Sequence, residues 1–203
     1  MSATTSTSST AAARIGPNAI IRTVEALRER IGTSATADLL VAARLERYGT
    51  AFPTDMVPEE DVGALYRALR AVLDAGEADA SARLAGVKTA DYLLAYRIPK
   101  PAQVVLRALP GRFAAPILLS SITKHTWTFA GSGVVDVGPG PPVRIAITGC
   151  PICRDERANE PLCGYYAATF ERLFTALVSR RARAVETACA AVGAPSCRFE
   201  IRY

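Results

Sequence analysis

Apolar residues change their period once along this chain, and that change limits the folds open to it. Up to Ile122 they recur at spacings of three and four, the repeat of a helix; from Lys124 onward β-favouring residues and alternation take over. Ile20, Ile21, Val24, Leu27 and Ile31 predict a first helix, opened by Gly16-Pro17 and closed at Gly32. A second helix, capped by Ser34, carries Leu39, Leu40, Ala43 and Leu45 and stops at Gly49. Residues 52–58 read as a loop. Pro58-Glu59-Glu60-Asp61 then starts a third helix, since proline suits the first turn and acids suit the positive end of the dipole. Its apolar face is Val62, Leu65, Leu69 and Val72. A helix over about residues 80–98 is expected to be nicked at Gly86 and broken by Pro99 and Pro101, with short helices over 103–109 and 112–122.

After Lys124, the run His125-Thr126-Trp127-Thr128-Phe129 predicts a strand, and Gly131-Ser132-Gly133 a hairpin turn into a strand over 134–137. Residues 143–148 alternate Val143, Ile145 and Ile147 with Arg144, Ala146 and Thr148, which completes an antiparallel meander. Residues 163–179 return to helix, with Tyr166, Phe170, Leu173, Phe174 and Leu177 on one face. Residues 183–192 read as helix or strand. Gly193-Ala194-Pro195 turns into a last strand over 197–201. The expected fold is therefore α+β: N-terminal helices packed on an antiparallel sheet with a long C-terminal helix. It forms one domain over 15–203, mainly helical over 15–122 and sheet over 123–203, behind a disordered tail at 1–14.

Half of the 203 residues are apolar and 21% are charged, the profile of a globular protein. The longest apolar run, residues 114–119, is far short of the roughly 20 residues a membrane span needs. The net charge of +5 is spread over scattered arginines with one cluster at Arg180, Arg181 and Arg183. Without interleaved aromatics or a recognition helix, it gives no reason to expect nucleic acid. A carboxylate-bearing small molecule or an acidic membrane surface, touched peripherally, suits it better. The start of the chain shows no secretory signal, and five cysteines are an awkward number for a disulfide framework; together these point to the reducing cytoplasm.

All five cysteines lie between positions 150 and 197. Cys150-Pro151-Ile152-Cys153 has the spacing that lets two thiolates reach one ion across a turn. Cys163, Glu186, Cys189 and Cys197 make a second set, in which Glu186 and Cys189 can point the same way on a helical turn or at a bulged strand end. Three thiolates and a carboxylate close a tetrahedral zinc shell, leaving no open position for catalysis. Five thiols also suffice in number for an iron–sulfur cluster, with Cys150, Cys153 and Cys163 supplying three ligands. The glycine run at 131–138 lacks the third glycine of a dinucleotide fingerprint, so no nucleotide or flavin motif is present.

The stretches Cys163-Gly164-Tyr165-Tyr166, Glu186-x-x-Cys189 and Gly193-Ala194-Pro195-Ser196-Cys197-Arg198-Phe199-Glu200-Ile201 resemble the C-terminal half of the 4-vinyl-reductase domain family. That family is shared by bacteriochlorophyll biosynthesis proteins and sensor modules of aromatic-responsive transcription regulators. Likeness to its bacteriochlorophyll branch runs over about residues 15–203. The resemblance implies a structural zinc on Cys163, Glu186, Cys189 and Cys197. It also implies a fold like trafficking-complex subunits and haem-dependent nitric-oxide sensors, with an apolar ligand cavity between helices and sheet and residues 183–189 as a strand.

The family name implies reduction of a chlorophyllide 8-vinyl group, which needs a hydride or electron donor that no side chain supplies. The expected function is therefore a tetrapyrrole-binding accessory protein of bacteriochlorophyll biosynthesis. It would carry or present a magnesium-porphyrin or chlorophyllide intermediate to pathway enzymes. An 8-vinyl reductase dependent on an external donor is the alternative, and a small-molecule sensor module the second; the resemblance also admits a homodimer. His125, the one imidazole, is the candidate axial ligand to the pigment's magnesium; Trp127, Phe129, Tyr92 and Tyr96, with Leu118 and Ile122, are candidate cavity walls. Arg97 is a candidate propionate partner, as are Lys100 and Arg112.

Overall fold

The computed structural model describes residues 13–138 and 140–203, so residues 1–12 of the expected tail lie outside the described residues. Arg14 already belongs to the fold, in β1 (Arg14–Ile15). Next comes α1 (Asn18–Ala42), interrupted at Gly32, whose φ of 84° and ψ of 167° suit only glycine. A short α2 (Arg47–Thr50) leads to β2 (Val57–Pro58), which pairs antiparallel with β1. Helix α3 (Glu59–Val72) starts where the proline and acids place it, but its buried face is Val62, Leu65, Tyr66 and Leu69. Val72 stands exposed at the helix end, and Leu73 packs on the core in its place.

Asp74 caps α4 (Ala75–Tyr92), accepting from the Glu77 N–H at 2.9 Å. This helix runs through Gly86 without a nick and widens into a π-helical turn over Leu93–Arg97. Gly86 is needed for packing: a Cβ there would stand 2.2 Å from the Tyr165 carbonyl oxygen of α8 (Gly164–Leu177). Between these two helices in sequence lie α5 (Lys100–Ala108), α6 (Gly111–Lys124) and α7 (Trp127–Ala130).

The last of these corrects the strand expected at 125–129. The His125 ring binds the Ser121 carbonyl at 2.8 Å and the Thr128 hydroxyl donates to the His125 carbonyl at 2.7 Å. These local bonds satisfy the backbone in a helical turn and override the β propensity of the run. Gly131-Ser132-Gly133 accordingly links α7 to the first strand of the main sheet and joins no hairpin.

That sheet has four antiparallel strands in the order β3 (Val134–Gly138), β4 (Val143–Thr148), β6 (Cys197–Arg202), β5 (Arg183–Ala188). Val143, Ile145 and Ile147 of β4, with Cys197, Phe199 and Ile201 of β6, are buried. Helix α8 is buried nearly all round, and its rings tie it to both neighbours. Tyr165 meets Tyr66 edge-on at 6.0 Å, and Tyr166 and Phe170 meet Phe199 at 6.0 and 5.5 Å. Each such pair adds about 0.5–1.5 kcal/mol beyond area burial. Where the resemblance implied an apolar cavity, these rings pack on one another. No described helix is long and apolar enough to cross a membrane.

Candidate metal centre

The pairing of β4 with β6 sets Ile147 opposite Cys197, so the chain leaving β4 passes over the start of β6. Gly149, at φ 67°, turns it there, and Cys150 and Cys153 follow in the loop. Cys163 occupies the N-cap position of α8, where the positive end of the dipole favours a thiolate. Glu186 lies on β5 at a bulge between Glu186 and Ala188, and Cys189 follows it. The bulge re-aims the strand, so that Glu186 and Cys189 reach the same cluster.

The two cysteine sets expected to compete are in fact one cluster. Both Cys150, Cys153, Cys163 and Cys197 and the set Cys163, Glu186, Cys189 and Cys197 hold their ligand atoms within 4.8 Å of one another. Sulfur–sulfur distances are 3.5 Å for Cys150–Cys163, 3.3 Å for Cys153–Cys197, 3.6 Å for Cys163–Cys197 and 3.9 Å for Cys189–Cys197. A tetrahedral ion with metal–sulfur bonds of about 2.3 Å needs edges of about 3.8 Å, so little movement would seat one. All five thiols are buried.

Glu186 fits an ion best of all. Its Oε2 accepts the Cys163 N–H at 2.7 Å, while its Oε1 is buried with no hydrogen-bond partner. Burial, helped by charge on Cys189, pushes its carboxyl up to about 8. A cation among these groups would satisfy the orphaned oxygen and reverse that shift. The Leu162 and Ala190 N–H groups point at Cys189 and Cys197 sulfur at 3.5 and 3.4 Å, which favours thiolates over thiols. The cluster can therefore hold a metal ion.

The loop bearing Cys150 and Cys153 is fixed from the helical side. Arg70 donates to the Ile152 carbonyl at 3.0 Å, and Arg154 donates to the Gly149 carbonyl at 2.6 Å and pairs with Glu59. Their place in the cluster is signalled by the C-x-x-C spacing alone; the strand pairing that brings them to Cys197 is a long-range contact that no local pattern encodes.

The expected pigment residues are not brought to one place. Tyr92 and Tyr96 stack at 5.2 Å on the π-helical turn, with Arg22 and Arg97 over Tyr92 at 4.8 and 6.0 Å. His125 and Trp127 are exposed at the α6–α7 corner. Phe129 is half-buried, edge-on to Tyr166 and Phe170. None of these six lines either of two surface clefts. The larger, about 720 Å³, lies at the C-terminal end of α8 and is edged by Lys100, Arg107, Arg172 and Arg180 against one carboxylate, Asp91, with Leu94 and Ala95 also in its wall. The smaller, about 360 Å³, is mainly apolar, between α6 and Val137, Val143 and Tyr203. Of the larger cleft's basic residues, only Lys100 is singled out by the sequence as a carboxylate partner.

Residues 143–203 match the 4-vinyl-reductase domain, the C-terminal part that carries Cys150 through Cys197. The chain is 45% identical to the bacteriochlorophyll synthase 23 kDa chain of Cereibacter sphaeroides, covering 93% of this chain and 90% of that one. It is 39% identical to the Rhodobacter capsulatus protein of the same description, covering 92% and 85%. A solved structure from a study of haem distortion in the H-NOX family superposes with a TM-score of 0.58 over 93% of this chain and 95% of that one, at 10% identity. That likeness is one of fold.

Proposed function

The chain belongs to the 4-vinyl-reductase-domain family that includes the bacteriochlorophyll synthase 23 kDa chains, and from that premise we propose a tetrapyrrole-binding accessory role in bacteriochlorophyll biosynthesis. It presents a magnesium-porphyrin or chlorophyllide intermediate to enzymes of the pathway, in the cytoplasm, with at most peripheral membrane contact. The observation that carries this reading is the larger cleft. Its volume of about 720 Å³ suits a ligand of this size, since small-molecule pockets span about 300–1,000 Å³. Four cations against one carboxylate favour propionate groups. Tyr92, Tyr96 and Arg97 share a helical segment with the cleft residues Asp91, Leu94 and Ala95, and offer stacking surface at its edge. Zinc, held by Cys163, Glu186, Cys189 and Cys197, staples α8 to β5 and β6 beneath it and takes no part in redox chemistry.

The test is titration of the purified protein with magnesium protoporphyrin and with divinyl chlorophyllide, followed by pigment absorption. Saturable binding is expected, weakened roughly tenfold or more in Lys100→Gln/Arg107→Gln, because each charge-assisted bond is worth about 1.5–3 kcal/mol. Unchanged affinity in that variant would move the site elsewhere. Loss of the vinyl absorption signature on anaerobic addition of NADPH, with no other protein present, would replace the carrier by a reductase.

A further inference from the structure

We propose that Cys150 and Cys153 are alternative ligands of the ion. Cys163 and Cys197 hold it permanently, and its shell is completed either by Glu186 and Cys189 or by Cys150 and Cys153, softer ions taking the all-thiolate shell. This rests on the reading of the cluster as a metal centre.

The cluster offers five thiols and one carboxylate, two donors more than a tetrahedral ion uses, and the two possible quartets share Cys163 and Cys197. Buried cysteines commonly serve as small hydrophobes. That role does not explain a C-x-x-C loop turned inward so that each thiol touches one of the two shared sulfurs, Cys150 on Cys163 at 3.5 Å and Cys153 on Cys197 at 3.3 Å. Nor does it explain the loop's outer supports, Arg70 on the Ile152 carbonyl and Arg154 on the Gly149 carbonyl, which hold the ligand-bearing backbone as partners of metal ligands do.

The distances point to one ion with a choice of partners rather than two ions at once. Ions sharing a site lie roughly 3.5–4 Å apart, which drives apart the ligands that belong to only one of them. Cys153 and Cys189 belong to different quartets, yet their sulfurs are 3.9 Å apart, within reach of a single ion. The choice then follows ligand softness. Cadmium is expected to take four sulfurs, while zinc, of borderline softness, accepts the carboxylate and satisfies the buried Oε1 of Glu186.

The experiment is metal stoichiometry, thiolate-to-metal charge-transfer absorption and ¹¹³Cd resonance on the full chain. Wild type and the double variants Glu186→Gln/Cys189→Ser and Cys150→Ser/Cys153→Ser are compared, each checked for fold by circular dichroism. Wild type should bind one cadmium with a four-thiolate spectrum. The Glu186→Gln/Cys189→Ser form should keep one cadmium and that spectrum, and the Cys150→Ser/Cys153→Ser form should keep one with a three-thiolate spectrum. The proposal fails if Glu186→Gln/Cys189→Ser binds none, if two ions bind wild type, or if wild type shows only three thiolates. The wild-type spectrum decides the matter even where a variant does not fold. Absence of any bound zinc or cadmium in wild type would refute the metal centre itself, a different failure from a three-thiolate spectrum.

Discussion

The two ends of α8 are finished in opposite ways. At its N-terminus Cys163 enters a buried cluster of five thiols and a carboxylate, closed on every side by strands and by the loop that Arg70 and Arg154 hold. At its C-terminus Thr175 to Arg180 edge an open cleft whose far wall is α5, a helix that buries only Gln103 and Leu106 and leaves Val104 and Val105 exposed. Both ends match the dipole, with anionic ligands at the positive end and Arg107, donating to the Ala176 carbonyl at 3.0 Å, at the negative end. The difference is a division of labour. The closed end supplies rigidity, and the open end keeps a surface that a ligand can order.

The most severe way to break this contrast is to remove a ligand common to both quartets. Cys197→Ser is expected to abolish metal binding and to cost roughly 4 kcal/mol or more, the range reached when a structural metal is lost. Urea unfolding with metal analysis measures both. Amide exchange sharpens the comparison: protection should fall in β5, β6 and the first turns of α8 while α5 and α6 change little. Equal loss at both ends would mean that the clamp supports the whole molecule and that the contrast is false.

A smaller effect is expected midway along α8. Gly86→Ala would put a methyl group against the Tyr165 carbonyl oxygen and separate α4 from α8, costing about 1–3 kcal/mol by overpacking. The Thr169 hydroxyl, which donates to the Gly86 carbonyl at 3.1 Å, would lose its partner as well. A shift in the urea midpoint without metal loss is the expected result, separating helix packing from the clamp.

Gly86 also marks where sequence reading stops. Local pattern predicts a helix nick there, because glycine weakens a helix when only the helix itself is considered; the need for a missing Cβ arises from a partner helix some eighty residues away. The strands β4 and β6 are legible from alternation, since one face of each is buried and the period of two records it. The helical turn at 125–129 is not, because Thr128 and His125 make their hydrogen bonds locally. The set Cys163, Glu186, Cys189 and Cys197 is legible through motif spacing, whereas the arrival of Cys150 and Cys153 depends on the β4–β6 register.

The gentlest prediction concerns the joint between the helical half and the loop that carries Cys150 and Cys153. Glu59, at the first turn of α3, accepts from the Ser132 N–H at 2.8 Å and hydroxyl at 2.7 Å and pairs with Arg154. Burial alone would raise its carboxyl, but the Ser132 bonds and then Arg154 outweigh it and hold the group below the usual carboxylate range. A folded-state value depressed in this way means stability fully present above the unfolded value of about 4.3 and lost as pH falls through the folded one. Glu59→Gln should therefore be less stable than wild type by about 1 kcal/mol near neutral pH, a typical net worth for such bonds. That gap should close as pH drops below about 4. Metal release at low pH affects both proteins alike and cancels in the difference. Urea midpoints for the pair at neutral and acidic pH are the measurement. A gap that persists unchanged in acid would show that the shape of the Glu59 side chain, and not its charge, ties the closed end of α8 to the helices.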